Sequence, residues 1–410
     1  MQSSLPQINR GTLALDIQLA QRVQRIKPSP TLAVTAFAAQ LKAEGRDIIS
    51  LSAGEPDFDT PAHIQEAAIE AMHAGQTRYT AVDGTGALKA AIIGKFRRDN
   101  SLAYTPEQIL VSNGAKQSFY NLCEALLNPG DEVVIPAPYW VSYPDIVLLA
   151  DATPVPVLAD QAQGFKITPT QLEASITTRT RLLVLNSPSN PTGATYTATE
   201  LAGLGEVLKR HPQIIIASDD IYEPIVFGDT RFTNLLNVCP ELADRTVVMN
   251  GVSKAYAMTG WRIGYAAGPK ALIGAMKKIQ SQSTSNPNSI AQAAAAAALD
   301  GDQACVETMR GAFEQRQRLV SERLNAMPGI DCLPSSGTFY AFPNVVGAIE
   351  RLPNIEDDIG FAQFLLDEVG VAVVPGSAFG APGHIRLSFA TSMANLEEAL
   401  RRIATRLQAG

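Results

Sequence analysis

Five short apolar runs each end in residues that could do chemistry. Leu182–Leu185 is followed by Asn186-Ser187-Pro188-Ser189-Asn190-Pro191-Thr192-Gly193. Gln213–Ala217 is followed by Ser218-Asp219-Asp220-Ile221-Tyr222, and Thr246–Met249 by Asn250-Gly251-Val252-Ser253-Lys254. Gln108–Ser112 runs into Asn113-Gly114-Ala115-Lys116, and Glu132–Pro136 into Ala137-Pro138-Tyr139-Trp140. Open α/β sheets bind ligands beyond the carboxyl ends of their strands, so these segments should converge on one crevice. A lysine and an aspartate on neighbouring strands could form a plain ion pair. Their companions argue for more. Gly114-Ala115-Lys116 opens a helix, whose first N–H groups make a ready anion site. Ser253 and Arg262 can both donate to phosphate, and Trp140 offers a flat face to a ring. A Schiff-base lysine, an aspartate for a pyridinium nitrogen and a phosphate cradle together describe a site for pyridoxal phosphate.

Such loops need a sheet to hold them. Between about Pro61 and Asp300, two further β-branched runs, Pro154–Leu158 and Arg262–Ala266, join the five above. Several of the runs lack apolar–polar alternation, as expected of strands covered on both faces. Helical stretches such as Lys116–Leu127 and Ala198–Arg210 lie between them. The pattern predicts an α/β fold with a mostly parallel sheet. After Asp300 the texture changes to a smaller α+β unit. It comprises a helix over Val306–Ala326, a strand over Thr338–Phe342, a helix over Phe361–Val369 and a strand over Val371–Val374. An amphipathic helix closes the chain, with Leu396, Leu400, Ile403 and Leu407 on one face. Asn395 and Glu398 could cap it as a capping box. At the other end, Thr12–Lys27 reads as an arm with a short helix, broken at Pro28 and Pro30. Asp47–Ser52 reads as a short strand ending in Ala53-Gly54-Glu55-Pro56. The expected organisation is an arm and part of a small domain over 1–60, a large cofactor-binding domain over 61–300 and a small domain over 301–410.

The chain resembles the fold-type I, class I aminotransferases, and within them the bacterial aspartate aminotransferase group that includes bifunctional aspartate/prephenate enzymes. The most specific motif is Ser253-Lys254-Ala255-Tyr256-Ala257-Met258-Thr259-Gly260-Trp261-Arg262-Ile263-Gly264-Tyr265. Ala53-Gly54-Glu55-Pro56-Asp57-Phe58 and Asn186 to Gly193 come next, and the likeness runs from Lys27-Pro28-Ser29-Pro30-Thr31 to Arg386-Leu387-Ser388. The resemblance implies a large domain with a mostly parallel seven-stranded sheet between helices, a smaller α+β domain, and pyridoxal 5'-phosphate as cofactor. It implies that Lys254 forms the Schiff base and then shuttles a proton, and that Asp219 keeps the pyridine nitrogen protonated. Asp220, pointing away by strand alternation, stays structural. Tyr222 and Asn190 would hydrogen-bond the ring's phenolic oxygen, and Trp140 would stack on the ring. Gly114, Ala115, Lys116, Ser253 and Arg262 would hold the phosphate. Tyr79 resembles a tyrosine that reaches the neighbouring subunit's phosphate, which implies a homodimer with shared sites.

Substrate contacts follow from the same motifs. Arg386 stands in a strand among apolar neighbours and needs a partner, either an internal carboxylate or a substrate α-carboxylate bound bidentately. Gly54 would let its backbone approach the same carboxylate. By resemblance, Lys116 would meet the distal carboxylate of aspartate, Lys27 matches a residue associated with prephenate use, and Trp140 and Asn190 complete the contacts. The expected reaction is transamination between L-aspartate and 2-oxoglutarate, with prephenate as an additional acceptor. Alternatives are an aminotransferase for alanine or aromatic amino acids, a fold-type I lyase, or a binding protein that keeps the fold without catalysis.

Composition bounds the rest. The chain has 410 residues, 46% hydrophobic, enough for sizeable cores. Charged residues are 18%, against about 25% in typical globular chains. Lys and Arg total 33 against 40 Asp and Glu, a net charge of −7 that argues against nucleic acid as a partner. Cys123, Cys239, Cys305 and Cys332 are scattered and form no zinc or disulfide pattern. They read as reduced thiols of a cytoplasmic protein. His63, His73, His211 and His384 show no metal-ligand spacing, so no metal is expected. No signal peptide or apolar stretch long enough to span a membrane is evident. Gly84-Thr85-Gly86-Ala87-Leu88-Lys89 imitates a nucleotide loop, but it lacks the third glycine and a preceding strand.

Overall fold

The computed structural model describes residues 17–408. Its central sheet contains β2 (Ile109–Ser112), β3 (Glu132–Ala137), β4 (Thr153–Leu158), β5 (Thr180–Asn186), β6 (Ile215–Asp219), β7 (Thr246–Gly251) and β8 (Gly264–Ala267), after a short β1 (Ile49–Ser50) that lies elsewhere. The strand order is β2-β8-β7-β6-β5-β3-β4, and only β8 runs antiparallel to its neighbours. The expected seven-stranded, mostly parallel sheet is therefore present. Apolar runs without alternation are explained by the two cores. Leu183 and Leu185 pack on one side, and Leu182 and Val184 on the other. Val134 faces the first core, while Val133 and Ile135 face the second. Pro154 and Pro156 sit on β4, which is an edge strand, where a missing N–H costs no ladder bond.

Arg386 is positioned by a second assembly. β9 (Tyr340–Ala341), β11 (Val374–Pro375) and β12 (Ile385–Ser388) form a three-stranded antiparallel sheet, and β1 pairs with β10 (Val371–Ala372). The closing helix, Met393–Gln408, buries Leu396, Leu400, Ile403 and Leu407 in the same core as Phe313, Val320 and Leu387. Each such leucine contributes roughly 1.5–3 kcal/mol by burial. The N-terminal segment is tied in by β1, whose following residue Leu51 accepts from the Ser388 N–H at 2.7 Å.

Several local expectations are corrected. Pro30 does not break a helix but starts one, Pro30–Ala43, since proline's fixed φ suits the first helical position. The helix Gln21–Arg25 precedes it; the earlier part of the expected arm, before residue 17, lies outside the described residues. Asn395 does not cap the closing helix; Ser392 Oγ accepts from its N–H at 3.2 Å, and Glu398 pairs with Arg401 and Arg402 instead. The expected strand Val371–Val374 divides into β10 and β11, which join different sheets. The Gly84–Lys89 segment is a helix start, with Thr85 Oγ1 accepting from the Leu88 N–H.

Candidate active site

Strand register brings the five loops together. Asn186 of β5 aligns with Asp219 of β6, Gly251 of β7 with Gly264 of β8, and Gly264 with Ser112 of β2. The loops that follow open at one edge of the sheet, facing the assembly that carries Arg386. They wall a cavity of about 340 Å³. Of the residues singled out in sequence, Gly54, Ala115, Lys116, Trp140, Asn190, Asp219, Tyr222, Ser253, Lys254, Arg262 and Arg386 line it. Gly114 lies just behind the wall. Lys27 and Tyr79 are not brought to the cavity. Lys27 is exposed and its N–H meets Asp145 Oδ1 at 3.3 Å, while Tyr79 is 92% exposed.

Lys254 donates from Nζ to the Gly54 carbonyl at 2.7 Å. Burial, reinforced by Arg262, pulls its pKa down to about 8. The neutral amine that attacks carbonyls is thus within reach near physiological pH. Asp219 is buried at the end of β6. The Tyr143 hydroxyl donates to its Oδ2 at 2.5 Å and the Ile221 N–H to its Oδ1 at 3.3 Å. Burial raises its carboxyl pKa, while the Tyr143 bond, the Ile221 N–H and Lys254 act in the opposite direction. Asp220 points away, as alternation requires. It is held by Ser218 Oγ at 2.8 Å and by Asn234, and burial pushes its carboxyl up to about 7.

The anion cradle has two backbone devices. Gly114 precedes the helix Ala115–Leu126 with φ 84°, a conformation that suits glycine. A Cβ there would stand 2.3 Å from Arg262 Nη2. Arg262 itself has φ 57°, and its guanidinium donates to the Thr259 carbonyl at 2.8 Å and the Asn113 carbonyl at 3.3 Å. A non-glycine residue held in this region carries strain that the surroundings must enforce. The N–H groups of Ala115 and Lys116 belong to the first turn, where no helical carbonyl precedes them. Lys116 is exposed at the rim, yet its ammonium lies 5.0 Å from the Trp140 ring, and burial together with Arg262 lowers its pKa.

Arg386 is 2% exposed. It donates from Nη1 to Asn190 Oδ1 at 3.0 Å and from Nη2 to the Ser52 carbonyl at 2.7 Å, while its buried Nε has no partner. No carboxylate among the described residues pairs with it, which removes the internal ion pair as its explanation. Lys116, Lys254, Arg262 and Arg386 thus face a cavity to which Asp219 brings the one wall carboxylate among the described residues.

A family model for "Aminotransferase class I and II" matches residues 46–403. The chain belongs to this family. The aminotransferase is 60% identical over 396 residues to an aspartate/prephenate aminotransferase of Nitrosomonas europaea, covering 95% of this chain and 100% of that one. Among solved structures, the aspartate aminotransferase of Rhizobium meliloti superposes with a TM-score of 0.93 at 50% identity, covering 96% of this chain and 99% of the other. That of Thermus thermophilus with maleate superposes at 0.90 and 44% identity, covering 95% and 100%. The aminotransferase also carries site residues that the sequence reading missed. Tyr143 stands three residues after Trp140, in the first turn of the helix Ser142–Leu149, and that nearness in sequence is the available signal. Tyr340 reads as an ordinary strand aromatic, yet it lines the cavity and meets the Tyr222 hydroxyl at 3.0 Å. Asn186 accepts from the Asn190 N–H at 2.9 Å and donates to the Asp219 carbonyl at 3.0 Å, which ties two strand ends together.

Proposed function

We propose that this aminotransferase uses pyridoxal 5'-phosphate to transfer an amino group between L-aspartate and 2-oxoglutarate, with prephenate as a further acceptor. The observation that carries the reading is the charge of the cavity wall. Four cations facing one carboxylate in a chain of net charge −7 call for anionic ligands. A phosphate and the two carboxylates of aspartate supply them. The names of the Nitrosomonas relative and the maleate of the Thermus relative, a four-carbon dicarboxylate, support the same substrate class.

The residues present fit the cofactor. The Ala115 and Lys116 N–H groups, Ser253 and Arg262 would hold its phosphate, with Gly114 leaving room for Arg262 beside them. Asp219 would hold a proton on the ring nitrogen, Asn190 and Tyr222 would donate to the phenolic oxygen, and Trp140 would cover the ring. When bound, the cofactor supplies a carbonyl that condenses with amines and a protonated ring that takes up the electron pair left at Cα. Lys254 supplies the condensing amine and, once displaced by substrate, carries the proton from Cα. A positioned base of this kind contributes about 10²–10⁴-fold. Arg386 binds the α-carboxylate, which gives its unpartnered Nε an acceptor. The Gly54 carbonyl keeps Lys254 beside the same substrate atoms. Lys116, at the rim, meets the distal carboxylate, and Lys27 bears on prephenate.

A homodimer with shared sites completes the reading, with Tyr79 reaching the second copy. Its near-complete exposure, with Ile69 and Met72 of the preceding helix exposed as well, supports a surface made to be covered. In this reading residues 61–300 form the cofactor domain, and 1–60 with 301–410 form the unit that brings Arg386 to the substrate. The free cysteines support a reducing, cytoplasmic setting. No helix among the described residues is long and apolar enough to cross a membrane.

The test is the visible spectrum of the protein loaded with pyridoxal phosphate, before and after aspartate. A panel of amino donors against 2-oxoglutarate and prephenate follows. Aspartate should shift the cofactor band, and Lys254→Ala should abolish turnover. An unchanged spectrum would favour a binding protein, and a panel led by alanine or an aromatic donor would overturn the dicarboxylate assignment.

A further inference from the structure

Tyr340 joins three parts of the site. It lies on β9, opposite Ser388 of β12, and is fully buried. Its ring centroid is 4.5 Å from the central carbon of the Arg386 guanidinium, and the Phe379 ring is 5.0 Å from the same carbon. Its hydroxyl lies 3.0 Å from that of Tyr222. Its Oη also stands where a side chain on residue 54 would come within 2.8 Å, so Gly54 leaves the hydroxyl its place. Arg386 is buried without a carboxylate, and an aromatic face is one of the few ways to steady such a cation without consuming its N–H donors. Hydrogen bonds to Asn190 and Ser52 take one nitrogen each. The rings hold the plane and leave donors free.

The hydroxyl has a separate consequence. Two phenols 3.0 Å apart share one hydrogen bond, and each has one proton. Tyr222 can donate elsewhere only if Tyr340 supplies the proton that lies between them. Accepting that bond also makes Tyr222 a stronger donor.

We propose that Tyr340 is a positioning residue with two separable tasks: its ring holds the Arg386 guanidinium ready for a carboxylate, and its hydroxyl, by donating to Tyr222, strengthens the hydrogen bond that Tyr222 gives toward the cofactor. The assignment rests on the pyridoxal phosphate reading above. The charged groups that face the tyrosine pair are Arg386, Asp219 and Glu55. None of them is removed by the substitutions below.

Two variants separate the tasks in protein loaded with pyridoxal phosphate. Tyr340→Phe keeps the ring and loses the hydroxyl, whereas Tyr340→Leu loses both. The pH midpoint of the cofactor's visible band reports donation to its phenolic oxygen. Weaker donation stabilises the ionised oxygen less, so the midpoint should rise in both variants. The dissociation constant of maleate, a dicarboxylate that cannot transaminate, reports Arg386. It should stay within about twofold in Tyr340→Phe and rise about tenfold in Tyr340→Leu. An unmoved midpoint in Tyr340→Phe, or equal weakening of maleate by Tyr340→Phe and the ring-less variant, would overturn the assignment, and Tyr340→Met serves as the ring-less variant if Tyr340→Leu fails to fold. Absence of any cofactor band in the unsubstituted protein would overturn the underlying reading and this assignment with it. A normal band that ignores Tyr340→Phe overturns this assignment alone.

Discussion

Tyr143→Phe should slow transamination by about tenfold to a hundredfold while leaving the protein folded. The hydroxyl donates to Asp219 Oδ2 at 2.5 Å, deep in the sheet. A hydrogen bond to a charged group is worth about 1.5–3 kcal/mol, and each 1.36 kcal/mol is about tenfold in rate. Asp219 is buried and already pushed toward its neutral form, so it depends on the donors that remain. Without Tyr143, it keeps the Ile221 N–H at 3.3 Å, a longer bond. In the proposed site, a carboxylate that drifts toward the acid form would hold the ring-nitrogen proton less firmly, and a bound ring would then take up electrons less well. The aromatic contacts survive the change. Tyr143 packs edge-on against Phe119 at 4.9 Å and against Trp140 at 5.2 Å, and phenylalanine keeps both. The melting temperature should therefore drop by only roughly a few degrees. The assay is kcat/KM for aspartate across pH. Loss of the donor raises the Asp219 pKa further, so the ionised form is lost at a higher pH and the acid limb moves up. A variant with unchanged kcat/KM and an unmoved acid limb would refute the argument that Tyr143 sustains the Asp219 charge.

The remaining predictions concern the cradle, the amine and the carboxylate clamp. Gly114→Ala places a methyl against Arg262 and strains a φ of 84°, which at about 1–3 kcal/mol should weaken pyridoxal phosphate about tenfold to a hundredfold in an equilibrium titration. The rate of cofactor capture by apoprotein should rise with pH to a midpoint of about 8, because Lys254 is depressed to that value. At pH 7 about a tenth of it is then free amine, against about three parts in ten thousand for an ordinary lysine. A midpoint near 10 in a stopped-flow series would show that burial does not poise this amine. Arg386→Lys keeps the charge but loses the planar fork, so KM for aspartate should rise by about a hundredfold with cofactor affinity unchanged. Parallel loss of both in titrations would place Arg386 in the phosphate cradle instead.

Sequence legibility followed locality. The sheet was readable because both of its faces are buried, which leaves continuous apolar runs such as Leu182–Leu185 punctuated by polar loops. The loop residues Asn190, Asp219 and Lys254 stand out only in combination, since a polar residue after one strand is ordinary but an amide, an acid, an amine and a glycine turn after successive strands of one sheet are not. Tyr143 and Tyr340 did not stand out, because a buried tyrosine is ordinary and only its hydroxyl's partner distinguishes it. Those partners, Asp219 and Tyr222, are 76 and 118 residues away. The pairing of Ile49 with Val371 is equally non-local, and it explains why two short segments at opposite ends of the chain form one unit. Pro30 was misread for a different reason. Proline stops a helix in its interior and suits one at its start, and sequence alone did not say which side of it the helix occupied.

The cavity's energetics connect these features. A protein of net charge −7 has gathered Lys116, Lys254, Arg262 and Arg386 around one space, and Arg262 lowers the pKa of both lysines. Mutual repulsion and desolvation of Arg386 both oppose folding, and the positive φ of Arg262 adds strain at the same place. Anions that bind here relieve all of the charge terms at once, so ligand affinity draws on strain already built into the fold. The same cations act in opposite ways on Lys254. Before an anion arrives they favour its neutral, nucleophilic form, and an anion seated on Arg262 weakens that influence. Burial, the largest cause of the Lys254 shift, does not depend on the anion, so the amine keeps a lowered pKa for condensation and proton abstraction, while the anion's partial cancellation of Arg262 lets it hold the abstracted proton more firmly.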